Sequence, residues 1–415
     1  MHKRLFIPTI LILLAVFING CWSRREIEKL AIATLISYDK VTVKGQEKWL
    51  IGARIIRPAA LGGKGPLTDG SGDGGGAANS AMLISGMGDT IWEAGRDLST
   101  RMPRREYFAH VNIIIMGERV ARDGLDKMVD NFLRSKDIRL NTNVLVTKGK
   151  AIDVLRAEPE LEELLSQEIL GLLQENQPAV SKAFTIDIKR FLNYLLTPGQ
   201  DAVASYIEIF YPEDETSNEQ EGKVPEYGGN NRKLALRLHG AAVFRKNRLV
   251  GWLNDSETKG YLYAMSKAKQ GMISLKLHQT ARRDVVFSMT RAKSKITPNI
   301  KNGQIAFHIK IRAEGDLQQH EDTMPIANPE DIKAIEQVTS REIKNMVENA
   351  VNAAKDRLKA DIFGFGDRLH KKYPKVWREV EKDWGDIYPD VKVIVNVDAK
   401  IRRTGMITDT PVTIQ

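Results

Sequence analysis

One cysteine in 415 residues, Cys21, limits what can hold this chain together. An intramolecular disulfide framework is excluded, as are zinc sites of the two- or four-cysteine kind. Stability must therefore come from an apolar core. The composition suffices for one, since 42% of residues are hydrophobic and 28% charged, the mix of ordinary globular chains. At roughly 150 residues per domain the length suggests two or three domains. The seven histidines are spread along separate elements with no ligand pair at helical spacing, so no metal site and no cofactor is expected. A mean hydropathy of −0.31 excludes a chain that crosses a membrane many times.

That cysteine also stands at an informative place. Lys3 and Arg4 precede an uncharged apolar run from Leu5 to Ile18, too short for the ~20 residues of a comfortable membrane helix. The pattern is that of a secretory signal occupying residues 1–20 and removed in the mature chain. Ile18-Asn19-Gly20-Cys21 resembles a bacterial lipobox, whose cysteine receives diacylglycerol, so Cys21 is the expected lipid-attachment residue. An ordinary signal peptide or an uncleaved anchor is the alternative. Two acyl chains suffice for stable anchoring. A net charge of +9, still positive without residues 1–20, favours an anionic bilayer surface. Nucleic acid is not an expected partner, because an exported chain does not meet it.

Along residues 21–211 strands alternate with helices. Strand patterns cover 28–39, 49–57, 81–85, 111–116, 143–147 and 203–210, and helical periodicity covers 89–102, 120–133, 162–173 and 186–196. This alternation implies layered α/β packing. Residues 58–80 form a glycine-rich stretch with too few apolar groups to offset its ordering entropy, hence a flexible loop. Its Gly62-Gly63-Lys64-Gly65 is followed by Pro66 rather than Ser or Thr, so it is not a phosphate loop. Residues 212–232 are polar and bracketed by Pro212 and Gly228-Gly229, which marks them as a linker. Beyond it, 233–405 reads as a C-terminal α+β domain, and 406–415 as a tail. A hairpin of 235–244 and 249–253 turns at Lys246-Asn247, and a helix spans 255–268. Strands 274–277, 284–296 and 304–313 are expected to be antiparallel. A helix of about 30 residues starts at Asn328-Pro329-Glu330-Asp331, with a cap, a first-turn proline and two acids. It is expected to cross that sheet, and 391–399 is a last strand. The fold class expected is α+β (mixed α/β), multidomain.

No nucleophile elbow, zinc helix or complete phosphate loop is present, so no catalytic residue is assigned and no enzyme is expected. One dense segment stands out. Phe363, Phe365, Tyr373, Trp377, Trp384 and Tyr388 are interleaved with Arg368, Lys371, Lys372, Lys375, Arg378 and Lys382. Either these aromatics close a core beneath the long helix, or they form a docking surface for a partner or lipid headgroups.

Four stretches together carry a family resemblance. They are Cys21-Trp22-Ser23-Arg24-Arg25-Glu26-Ile27, GAAVFRKNRLVGWLN from Gly240 to Asn254, ADIFGFGDRLHKKYPKVW from Ala360 to Trp377, and Ile401-Arg402-Arg403-Thr404-Gly405. The chain resembles the Ger(x)C spore germination lipoproteins, the C subunits of nutrient germinant receptors, with Ser23 where an aspartate is common. The resemblance implies a palmitate-type lipid anchor on the outer face of the spore inner membrane. It also implies integral membrane A and B subunits as partners, a multidomain fold of sheets and helices, and no enzymatic activity. It leaves Cys21 as the one residue with a chemical role. Trp252 is expected to be a core anchor.

Two other classes compete. A lipid-anchored solute-binding protein of a transporter needs two similar α/β lobes around a cleft, and a lipid-anchored hydrolase needs convergent nucleophile and base. With no pocket motif in sight, the chain alone is not expected to bind a germinant tightly.

Overall fold

The computed structural model describes residues 29–57, 80–176, 180–211, 234–276, 285–320 and 329–403. The signal segment, Cys21, the glycine-rich stretch apart from Ser80, the polar stretch 212–232 and the tail 406–415 lie outside the described residues.

The first long alternating run becomes β1 (Leu30–Val43), paired antiparallel with β2 (Gln46–Ile56). Lys44 and Gly45 between them both take positive φ, 50° and 78°, as a two-residue hairpin turn matching strand twist requires. Next come β3 (Ala81–Gly88), α1 (Ile91–Thr100), β4 (Arg105–Tyr107) and β5 (Ile113–Gly117). Thr90 caps α1 and Glu93 completes the capping box. The helix expected over 120–133 is two helices, α2 (Glu118–Asp123) and α3 (Asp126–Arg134). Gly124 between them has φ +119°, which terminates α2 although the apolar spacing runs on.

Then follow β6 (Asn143–Thr147), α4 (Ala151–Val154), α5 (Leu165–Gly171), α6 (Ile188–Leu196) and β7 (Val203–Phe210). The expected hairpin is β8 (Ala235–Arg245) and β9 (Arg248–Leu253). These strands form one sheet in the order β3-β2-β1-β5-β6-β7-β8-β9, with β4 beside β1. Its centre, β1-β5-β6-β7, is parallel and its flanks are antiparallel. The polar stretch 212–232 thus separates two strands of one sheet, β7 and β8, rather than two sheets.

The parallel centre is buried on both faces, which is why Ile113–Met116 reads as a continuous apolar run. Ile113, Ile115, Leu35 and Leu145 pack on one side with α4 and α5, and Ile36, Ile114, Met116 and Val146 join the main core on the other.

The second layer starts with α7 (Asp255–Ala264) and a sheet in the order β10 (Gly271–Leu275), β11 (Val285–Lys301), β12 (Gln304–His320), β13 (Lys392–Arg403). The β11–β12 hairpin is longer than the sequence indicates. Pro298 reads as a breaker, yet it lies where β10 no longer pairs with β11, an edge on which proline costs no ladder bond. β10–β12 are antiparallel as expected, whereas β13 runs parallel to β12. The chain reaches β13 by a crossover through α8 (Pro329–Asn352), about 36 Å long. That helix packs against α7 and β13 and reaches β10, so it crosses the sheet. It ends in a π-helical turn, Ala353–Arg357, before three short helices, α9 (Phe365–Lys372), α10 (Pro374–Val380) and α11 (Trp384–Ile387).

Candidate functional site

Two of the four motif stretches, the β8–β9 hairpin and the segment 360–377, fold against each other where the two layers meet. Asp201, just before β7, accepts from Lys246 N at the hairpin turn (2.8 Å) and from Asp361 N (2.7 Å). The Asp361 carboxylate accepts from Phe365 N (2.9 Å), Gly366 N (2.8 Å) and the Trp384 indole N–H (3.1 Å). Burial pushes the Asp361 carboxyl up to about 7 against the pull of those donors, and burial likewise raises Asp201. Arg357 ties the same hairpin to α8 by donating to Trp252 O (2.9 Å) and to both carboxylate oxygens of Glu257 (2.7 and 2.8 Å). Every partner of Asp361 is backbone or indole, so this carboxylate works as a fastener rather than as an acid or base.

The aromatics of this segment are core. Phe363, Phe365, Trp377, Trp384 and Tyr388 are buried, with Phe365 stacked on Phe307 at 4.4 Å and Trp377 edge-on to Trp384 at 5.5 Å. Tyr373 is half-buried, while Lys371, Lys372, Lys375, Arg378 and Lys382 are exposed. Of the two readings of this cluster, the aromatics follow the first and leave the outer surface to cations.

A second cluster lies on β7–β9. The His239 Nε2 faces Glu208 at 2.8 Å and its Nδ1 faces Asp255 at 3.1 Å. With a carboxylate on each ring nitrogen, first Asp255 and then Glu208 raise the His239 pKa by hydrogen bonding. Burial works to raise Glu208, but hydrogen bonds from His239 and Arg237 prevail and hold it at about 2. The His239 hydrogen bond lowers Asp255, which Lys182 also pairs at 2.8 Å. Tyr206 donates to Glu208 (3.1 Å) and packs on Trp252 at 4.9 Å, with the Lys148 ammonium over both rings. Trp252 is thus half-buried, packed against the main core and also part of this polar–aromatic cluster. Sequence reading gave His239 no role, and its two acid partners lie 31 and 16 residues away.

The outer face of the second sheet is basic. In the β11–β12 register Lys293 lies opposite Arg312 and Lys295 opposite Lys310, and all four are exposed. Like charges placed directly across a ladder are destabilising. Among the described residues no group of three or more His, Cys, Asp or Glu is arranged to hold a metal ion, and no helix is long and apolar enough to cross a membrane. Of the remaining motif residues, Ile401–Arg403 end β13, and Cys21–Ile27 with Thr404 and Gly405 fall outside the described residues.

Comparison with known proteins accounts for the paired motifs. Residues 23–209 match the family described as "Spore germination protein N-terminal domain" and residues 239–405 the family described as "Spore germination B3/ GerAC like, C-terminal". Spore germination protein KC of Bacillus subtilis (strain 168) is 27% identical over 98% of this chain and 97% of its own length. Spore germination protein B3 of the same organism is 23% identical over 94% and 95%. Spore germination protein GerQC of Bacillus cereus is 22% identical over 95% and 98%. The crystal structure of the GerBC protein superimposes with a TM-score of 0.54 at 18% identity, covering 88% of this chain and 97% of that one, which shows a shared fold. Both halves match in the family's order, and the chain belongs to the GerAC-like family of spore germination proteins.

Proposed function

We propose that this chain is the non-enzymatic, lipid-anchored C subunit of a nutrient germinant receptor, held by Cys21 to the outer face of the spore inner membrane. There it acts with integral membrane A and B subunits to trigger germination. The observation that carries this reading is the coincidence of the two family matches, 23–209 and 239–405, with a sole cysteine directly before them. The exposed cation pairs Lys293/Arg312 and Lys295/Lys310 are compatible with an anionic lipid surface nearby. The solute-binding alternative calls for two similar lobes, whereas the two sheets here have nine strands and four.

The test is Cys21→Ala in spores, expected to leave unprocessed precursor, abolish palmitate incorporation and slow germination. Normal palmitate labelling of that variant contradicts the anchor. Purification of the wild-type chain from detergent-solubilised spore membranes is expected to bring two integral membrane proteins with it, and recovery of the chain alone contradicts the assembly.

A further inference from the structure

A cavity of about 340 Å³ opens between the turn after α5, the segment 181–185, α6 and the C-terminal end of α7. It belongs to neither cluster described above, and its volume lies in the small-molecule range. Its floor is apolar, formed by Leu173, Ala183, Phe184 and Leu262, and its charged lining is cationic, supplied by Lys267, Lys269 and Arg190. No acidic side chain is among the lining residues.

Lys267 is the centre of the site. Its ammonium lies 5.0 Å from the ring centroid of Phe184 and 5.4 Å from those of Tyr194 and Tyr261. The Tyr261 hydroxyl is 3.4 Å away. Three aromatic faces hold a cation by cation–π attraction without neutralising it. Among the described residues no carboxylate pairs with it. Burial lowers its pKa, hydrogen bonding to Tyr194 opposes that shift, and the positive charge of Arg190 adds to it. Arg190 is itself only loosely held, 3.7 Å from Asp187. A half-buried cation caged by aromatic rings, beside a second cation and an open volume, is an anion site awaiting its counter-charge.

The rim is fixed in advance. Ser181 and Ser266, both lining the cavity, take the left-handed conformation at φ 53° and 55°, which costs a non-glycine residue about 1 kcal/mol or more. Hydrogen bonds hold both in place. The Ser181 hydroxyl donates to Gln270 O, and the Ser266 hydroxyl donates to Ser294 O (3.1 Å) while accepting from Ser294 N (2.6 Å). Ser294 belongs to β11, so the second sheet braces the mouth of a cavity built mainly on the first layer.

We propose that this cavity binds a small organic anion, a monocarboxylate with an apolar body, whose charge pairs with the Lys267 ammonium while its body rests on Phe184 and Leu262. A free amino acid is a poorer match, since its ammonium would meet cations. The proposal leaves standing the sequence-based expectation that the chain alone does not bind a germinant tightly. It goes beyond the receptor reading and does not rest on it, because failure of Cys21 lipidation leaves the cavity unaltered.

The test is a titration of the full chain in detergent, followed by ligand-observed NMR, with acetate, benzoate, phenylacetate, benzamide and benzylamine as probes. Benzoate or phenylacetate is expected to saturate at a Kd of about 1 mM or tighter. Benzamide and benzylamine, matched in shape but not in charge, are expected to bind at least tenfold more weakly. Lys267→Met, which keeps the stem over the rings, is expected to lose benzoate binding at unchanged thermal stability, and Lys267→Arg to keep most of it. Absence of saturation by every carboxylate up to tens of millimolar, with the chain folded, overturns the proposal. So does equal affinity for benzamide, or undiminished binding by Lys267→Met.

Discussion

The joint between the layers predicts that one chemical change, glycine to alanine, has opposite effects at two helical positions. Gly366 opens α9 where the chain meets Gly199, which itself has φ +72°. A Cβ on Gly366 would lie 2.6 Å from Gly199 Cα, 2.8 Å from the Trp377 ring and 2.8 Å from Trp384 Nε1. None of these neighbours yields freely. Gly199 is backbone at a positive φ, and both indoles are buried. Forcing them apart costs about 1–3 kcal/mol in overpacking. Displacing Trp384 also stretches its hydrogen bond to Asp361, at about 1–3 kcal/mol for a buried polar pair left unsatisfied. Alanine returns at most ~1 kcal/mol in helix propensity. The net loss for Gly366→Ala is therefore about 1–5 kcal/mol. Gly95, inside α1, has nothing within 4 Å of its would-be Cβ, so Gly95→Ala should gain about 0.5–1 kcal/mol. Urea unfolding followed by tryptophan fluorescence reads both, since Trp377 and Trp384 flank the perturbed position. A Gly366→Ala variant within about 0.5 kcal/mol of wild type, or the same sign for both, refutes the close-approach reasoning.

The His239 cluster predicts a pH dependence. Its folded-state pKa is raised by Asp255 and Glu208 above the unfolded value near 6.5, so the imidazolium contributes stability fully below that pH and loses it as pH rises through the folded value. The melting-temperature gap between wild type and His239→Gln should therefore narrow as pH rises above about 7, and a gap that widens with pH contradicts the assignment. At the α7–α8 crossing, a Cβ on Gly260 would overlap Met346 O and come within 2.9 Å of Val347 N. Gly260→Ala should cost about 3 kcal/mol or more and speed hydrogen exchange across α8, because the obstacle is helix backbone that has no rotamer to change.

What the sequence discloses is what depends on neighbours along the chain. Apolar period, capping boxes and two-residue turns set α1, α7, α8, the β1–β2 hairpin and the β8–β9 hairpin, since each is decided within about a dozen residues. Thr90 with Glu93, and Asn254 with Glu257, are visible three residues apart before any tertiary contact is known. Strand direction and sheet membership are decided otherwise. Nothing in Val391–Ala399 tells whether it will lie parallel or antiparallel to β12, because the crossover through α8 fixes its direction. Nothing in 235–253 tells that it will complete the first sheet, because that depends on β7 offering a free edge across the polar stretch. The same division runs through the sites. The aromatic density of 363–388 was legible as apolar content, but its burial rests on Asp361 being fastened to Asp201, 160 residues earlier. Lys267 gives little local signal, since of its ring partners Tyr261 alone lies nearby in sequence, six residues earlier. A lysine after a helix reads as a solvated C-terminal charge, and the convergence of the distant Phe184 and Tyr194 with Tyr261 of the preceding helix partly withdraws it from water. Both carboxylate fasteners and caged cations act through partners distant in sequence. In a chain with one cysteine and no catalytic motif, such long-range polar pairings are therefore where function has to be sought.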